Sequence, residues 1–207
     1  MSLGTVFVVD DDEDIRESIR DLVVSVGINC KTYESADAFF RADTESGPSA
    51  VILDVRLPGI GGLEIQKTLV AKGATAPVIF VTGYGDVWTA VQAMKRGAFD
   101  FFEKPFSSQE LLTRIQAAIG QHVEHLAEKS RLKDIDALLQ GLTPRERDIL
   151  ERLGLGKSNK TIAAELAMSV RTVEFHRARM MQKLRARSRE DLTRIAIEGR
   201  QARDESD

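Results

Sequence analysis

The sequence predicts two folded parts: an α/β unit with a doubly wound, five-stranded parallel sheet, then a linker helix and a small all-α unit of four helices. Three observations lead there. Apolar, β-branched runs alternate with amphipathic stretches through the first part. Helix caps crowd the last part. The net charge of −3 hides a split: residues 1–125 hold eleven Lys and Arg against eighteen Asp and Glu, or −7, while residues 126–207 hold eighteen against fourteen, or +4. Such asymmetry points to two tasks, the basic one compatible with nucleic acid.

Thr5–Val9 is a continuous apolar run, as expected of a strand buried on both faces. Ile15, Ile19, Leu22, Val23 and Val26 follow at helical spacing, and Gly27 closes that helix. Ile28–Tyr33 fits a second strand, and Ser35 caps a helix containing Ala38, Phe39 and Phe40. Ala50–Leu53 and Val78–Val81 are further buried strands, each followed by a helix, Leu63–Val70 and Val87–Ala98. Asp86 is expected to cap the second of these, with Val87, Ala90, Val91, Met94 and Ala98 facing inward and Trp88, Gln92 and Lys95 outward. Phe99–Phe102 is a short fifth strand. Ser107 and Glu110 have capping-box spacing and open a helix to about Ile119. Gly120 weakens it, and residues 121–140 read as a linker helix. Its stripe of Leu132, Ile135, Leu138 and Leu139 serves either a dimer contact or local packing.

Thr143, Pro144 and Glu146 supply an N-cap, a proline at N1 and a glutamate at N3. From there the chain reads as helices over about 144–154, 159–166, 170–184 and 189–198, the last capped by Ser188, Glu190 and Asp191. Residues 201–207 read as a disordered tail. The domains expected are thus 1–120, a linker at 121–140, and 141–200. Hydrophobic residues at 43% and charged residues at 29% exclude an unfolded or fibrous chain. No apolar run reaches the roughly 18 residues of a membrane span, and the N-terminus lacks a basic signal region. The single cysteine, Cys30, excludes an internal disulfide framework. A cytoplasmic protein without a membrane partner is expected.

Ligands of an open parallel sheet sit beyond the carboxyl ends of its strands. Asp10 and Asp11 follow the first strand, Asp54 the third, Thr82 ends the fourth and Lys104 follows the fifth, so all converge on one rim. Clustered carboxylates repel unless a cation joins them, and hard oxygen ligands suit Mg²⁺, or Mn²⁺ in its place. A lysine and a hydroxyl beside them suit a phosphoryl group, and Asp54 is the best-placed nucleophile. Any one of these acids alone reads more readily as a solvated loop residue; their joint placement does not. His122 and His125 are expected at the surface of the linker helix rather than as metal ligands.

The runs VVDDD (8–12), LDVRLPGIGGLE (53–64), VTGYGD (81–86) and FFEKPF (101–106) resemble the receiver domain of bacterial two-component response regulators over about residues 3–120. The resemblance implies strand order 2-1-3-4-5, a phosphoacceptor at Asp54 and a sensor histidine kinase as partner. It further implies Mg²⁺ held by Asp11, Asp54 and the carbonyl of Arg56, with Asp10 acting through water. Lys104 then pairs with the phosphoryl oxygens, and Thr82 with Phe101 forms the switch. Phe101 departs from the tyrosine often found there and loses only a hydroxyl bond. A homodimer formed on phosphorylation through the fourth helix and fifth strand is implied too, placing Trp88, Val91 and Lys95 at its interface. Trp88 reads alternatively as partly buried beside the phosphorylation loop. The chain is not expected to be a metabolic enzyme. A dehalogenase-type phosphatase also forms an aspartyl phosphate but wants a second aspartate where this sequence has Arg56, and no insertion is large enough for a cap.

In the basic part, Val173, His176 or Arg177, Met180 and Leu184 repeat as an inward face, with His176 assigned to the core. Seven basic residues against Glu174 alone fill positions 171–189. A short helix of that character fits the DNA major groove. The runs LTPRE (142–146), NKTIAAELAMS (159–169) and RTVEFH (171–176), with KL at 183–184 and SR at 188–189, resemble the LuxR-type helix-turn-helix, and the whole chain is similar to FixJ-like regulators. The resemblance puts Glu174, Phe175 and Ala178 at the bases of double-stranded DNA, and Asn159, Lys160, Arg171, Arg177, Arg179 and Lys183 at phosphates. Glu174 either accepts from cytosine N4 or pairs with a neighbouring arginine. The alternative to a phosphorylation switch is a DNA-binding regulator controlled by a ligand or protein at the receiver, independent of phosphate.

Overall fold

The structure, a computed structural model, describes residues 3–42, 47–83 and 87–204. Five strands, β1 (Thr5–Val9), β2 (Asn29–Tyr33), β3 (Ser49–Leu53), β4 (Val78–Thr82) and β5 (Asp100–Glu103), form one parallel sheet in the order β2-β1-β3-β4-β5. The chain divides into two units, Met1–Leu126 and Ala127–Asp207.

β1, β3 and β4 are buried along their whole length, which is why they read as unbroken apolar runs rather than alternating ones. Successive side chains still go to opposite faces. Val6, Val8, Ala50, Ile52, Ile79 and Val81 pack against α1 (Glu13–Val24) and the start of α5 (Ser108–Gln140) through Ile19, Val23, Leu111 and Ile115. Phe7, Val9, Val51, Leu53 and Phe80 pack on the other face, against α2 (Ala36–Arg41), α3 (Gly62–Ala71) and α4 (Val87–Lys95) through Phe39, Ile65 and Ala93. Each fully buried side chain of this size contributes about 1.5–3 kcal/mol of transfer free energy. The expected caps are formed: Ser35 Oγ accepts from Ala38 N (3.2 Å), and Thr143 with Glu146 makes a complete capping box.

Four helices of the second unit, α6 (Pro144–Gly154), α7 (Asn159–Glu165), α8 (Val170–Lys183) and α9 (Arg189–Asp204), enclose a core of Ile149, Leu153, Ile162, Val173, Met180, Leu184 and Leu192. The chain turns between α7 and α8 at Ala167, whose φ of 52° is unusual for a residue with a side chain. α6 and α9 approach closely: a Cβ on Gly154 would sit 3.0 Å from the carbonyl oxygen of Ala196.

Several local expectations give way. α5 is one 33-residue helix that runs through Gly120, because a single glycine costs a helix only about 1 kcal/mol against alanine. Leu132, Ile135 and Leu139 are buried, and Ile135 and Leu139 belong to the core of the second unit, with Leu139 against Gly199. The stripe therefore serves packing within the chain. α9 extends to Asp204 and takes in the first four residues expected to be a disordered tail, whose remainder lies outside the described residues. Asp86 lies outside them as well. In α4 the inward residues are Thr89 and Ala93, whereas Val87 is 82% exposed and Val91 and Met94 are exposed too; Trp88 faces outward as expected. Apolar residues occupy more than one side of this short helix, so their spacing picked the wrong one.

His122 is the other departure. It is 5% exposed, not a surface residue. Its Nδ1 accepts from the backbone N–H of Ser49 (2.9 Å), and its Nε2 pairs with the hydroxyl of Thr75 (3.0 Å). Burial holds the imidazole below its ordinary value of 6.5, with the Ser49 carbonyl, 3.1 Å from Nδ1, opposing the effect and His125 nearby adding to it. A histidine whose folded pKa is depressed contributes stability that is present above 6.5 and lost as pH falls through the lower folded value. Thermal melts should therefore show wild type and His122→Ala differing by about 1–3 kcal/mol near neutral pH, the cost of an unsatisfied buried group. The gap should narrow on acidification.

Candidate functional site

The rim of the sheet collects the expected acids. Asp10 leaves β1 and Asp54 leaves β3, and both are buried, while Asp11 is exposed. One carboxylate oxygen from each of Asp10, Asp11 and Asp54 lies within 4.8 Å of the others. Lys104 reaches the pair from β5: its Nζ is 2.7 Å from Asp10 Oδ2 and 3.4 Å from Asp54 Oδ2. The remaining oxygens have backbone donors, Asp12 N to Asp10 Oδ1 (3.0 Å) and Arg56 N to Asp54 Oδ1 (3.1 Å). Burial raises the Asp10 carboxyl above the ordinary carboxylate range. The Lys104 ammonium and the Asp12 N–H oppose that rise, and the Asp54 charge adds to it. Burial would lower Lys104, but Asp10 and then Asp54 outweigh it and hold the ammonium above its usual value.

Three carboxylates against one ammonium leave the rim with an excess of negative oxygen donors. That donor set fits a hard divalent cation with oxygen ligands. Thr82 ends β4 fully buried, and Lys104 N donates to its carbonyl (2.8 Å). The Lys104–Pro105 peptide bond is cis. Phe101 is half-buried with its ring against Phe80, centroids 6.3 Å apart. Arg56 joins the site through its N–H, which donates to Asp54 Oδ1.

Two supports escaped the sequence. Arg16, on α1, donates through Nη1 to the Asp10 carbonyl (2.8 Å) and fixes the loop that carries the acids. Gly62 begins α3 directly against the end of β3: a Cβ there would lie 2.1 Å from the Asp54 carbonyl oxygen. Arg16 was hidden because it sits on the exposed spacing of its helix. Gly62 offered a signal, the GG pair at 61–62, which reads as ordinary turn chemistry.

The second unit presents α8. Val173 and Met180 face its core, and Arg171, Glu174, Phe175, Ala178 and Arg179 are exposed together on the outer side. Ser169 Oγ caps the helix by accepting from Thr172 N (3.0 Å). His176 lies half-buried, and its Nδ1 is buried without a partner among the described residues. The basic residues divide. Lys160, Arg171 and Arg179 are exposed, while Arg177 Nη1 donates to Asn159 Oδ1 (2.6 Å), so two expected phosphate contacts hold each other. Lys183 Nζ turns to the buried Glu146, 2.6 Å from Oε2. Burial would raise the Glu146 carboxyl, but Lys183 and the N–H and hydroxyl of Thr143 together hold it below the ordinary 4.5.

Among the described residues, no helix is long and apolar enough to cross a membrane. Residues 6–116 match the model of the response regulator receiver domain, and residues 140–196 that of the bacterial regulatory proteins of the luxR family. The chain is 43% identical to the transcriptional regulatory protein FixJ of Azorhizobium caulinodans, over 93% of its own length and 91% of that protein's. It is similar to the response regulator StyR (TM-score 0.78, 37% identity, covering 93% of this chain and 97% of that one). It is also similar to full-length FixJ from B. japonicum (TM-score 0.59, 39% identity, covering 97% and 99%).

Lys183→Ala should destabilise the second unit by about 1–3 kcal/mol, the cost of a buried acceptor left short of its partner. The contribution from Glu146 is present above pH 4.5 and fades as pH falls through its lower folded value. Urea titrations of both proteins at neutral pH and in acid should show the difference shrinking in acid.

Proposed function

The chain belongs to the response regulators of FixJ type, which join a receiver to a LuxR-family helix-turn-helix, and from that premise we propose that phosphorylation of Asp54 by a sensor histidine kinase switches its binding to DNA. It is a DNA-binding regulator of transcription and not a metabolic enzyme. The observation that carries the proposal is the rim itself, three carboxylates with Lys104 between Asp10 and Asp54.

Asp54 has one oxygen held by the Arg56 N–H and the other only loosely held at 3.4 Å, which leaves the second available to attack. The attacking oxygen forms a P–O bond as the P–N bond of the kinase's phosphohistidine breaks. The departing imidazole nitrogen keeps the electron pair and takes up a proton from water. Asp10, Asp11 and Asp54, with the Arg56 carbonyl, would hold Mg²⁺ or Mn²⁺, which supplies charge neutralisation to the transferred group. Lys104 pairs with a phosphoryl oxygen, and the Thr82 hydroxyl binds another. The acyl phosphate later loses its phosphoryl group to water at the same site, which resets the switch.

Thr82 moving toward the phosphoryl group vacates space beside β5, and Phe101 follows it. This remodels the face of α4 that exposes Trp88, Val91 and Lys95, and that face joins two copies. Dimerisation then places two α8 helices on paired half-sites of duplex DNA in the cytoplasm. The equilibrium is a population shift, so the unphosphorylated protein retains some binding. At the DNA, Glu174, Phe175 and Ala178 face base edges, while Lys160, Arg171 and Arg179 hold phosphates together with the helix N-termini. Asn159, Arg177 and Lys183 lie along the same surface with part of their hydrogen bonding already committed.

Incubation with acetyl phosphate and Mg²⁺ should add the mass of one phosphoryl group to wild type and none to Asp54→Asn. Unmodified wild type would overturn the switch and leave control by a ligand or protein at the receiver. In sedimentation, phosphorylated wild type should dimerise and Trp88→Ala should remain largely monomeric at the same phosphoryl content. Affinity for duplex DNA should fall linearly on a log–log plot against salt, and Arg171→Ala should reduce the slope by about one. A flat salt response would contradict the phosphate contacts.

A further inference from the structure

We propose that Phe175 reads the 5-methyl group of thymine, so that each half-site requires a T·A pair beneath the outer face of α8. This rests on the duplex-DNA reading above and names what that site selects.

Phe175 is 58% exposed. A phenyl ring left in water forgoes most of its burial free energy, which contact with an apolar group would recover. Its surroundings show what kind. The exposed residues around it on α8 are Arg171, Glu174, Ala178 and Arg179, a charged setting rather than an apolar patch. A protein groove would want neighbouring apolar anchors, whereas flanking cations suit a polyanion. The ring is also held in place, edge-on to His176 at 5.8 Å and 70° and beneath the Arg179 guanidinium at 5.7 Å. Such a pre-set group loses little side-chain entropy on binding.

Within a DNA groove the choice narrows further. Phosphates offer nothing to a phenyl ring, and Glu174 beside it repels them. That pair of residues therefore faces base edges, not backbone. Among the base edges of the major groove the thymine methyl is the apolar group, and phenylalanine is one of the side chains that contacts it. Ala178, one turn on, adds no bulk that would hold the duplex away.

The test uses the full chain phosphorylated with acetyl phosphate, and duplexes selected from a random-sequence pool. Each thymine of a selected duplex is replaced singly by deoxyuridine, which removes only the methyl group. For wild type, one position per half-site should lower affinity about fourfold, the value of one buried methyl group. Phe175→Ala should bind the thymine duplex more weakly by a similar factor and no longer distinguish the two bases there. Phe175→Leu, which keeps an apolar tip, should retain part of the discrimination. The inference is overturned if wild type selects a duplex yet every deoxyuridine is neutral, or if Phe175→Ala still discriminates. Failure to select any duplex would instead overturn DNA binding itself, and the thymine reading with it.

Discussion

Asp10 and Asp54 are carried by different strands, are nearly withdrawn from water, and share one ammonium. Two buried carboxylates at close range would drive their strands apart or take up protons unless a positive group stood between them. Lys104 does so, and it can reach them only because β5 lies beyond β4 and ends at the same rim as β1 and β3. The strand order, the parallel direction and the two-faced burial of the sheet all serve that convergence. The arrangement is left incomplete, since one ammonium cannot neutralise three acids. The deficit leaves an oxygen donor set that fits a divalent cation.

The second unit solves a different problem with similar means. Its small core can support an exposed, strongly basic helix because the charges nearest the core are paired inward. Glu146 closes the capping box of α6 and at the same time receives Lys183 from the end of α8. One carboxylate thus joins the start of one helix to the end of another. Arg177 is turned onto Asn159 at the head of α7 in the same fashion. What remains outside on α8 is a narrower surface than the composition of residues 171–189 suggests, and Phe175 stands out on it.

The sheet was legible in the sequence because fully buried strands leave unbroken apolar runs, and the rim was legible because strand ends dictate where Asp10, Asp54 and Lys104 must meet. Helix starts were legible through Ser35 and Thr143, whose caps are local. Properties decided by partners far along the chain were not. His122 sits in a polar stretch that looks solvated, and only the fold brings Ser49 and Thr75 to its two nitrogens. Lys183 looked like one more basic residue until Glu146 came into reach. The face that α4 buries could not be chosen from its own residues, since Val87, Val91 and Met94 fit a core-facing stripe as well as Thr89 and Ala93 do.

Gly62 turns a crowded corner into a diagnostic. Its hydrogen occupies a gap that no side chain can share with the Asp54 carbonyl. A larger residue at this place in α3 would require the strand that carries Asp54 to move. A single letter, further along the same run as Asp54, therefore reports whether a chain of this fold can keep that carboxylate at the rim.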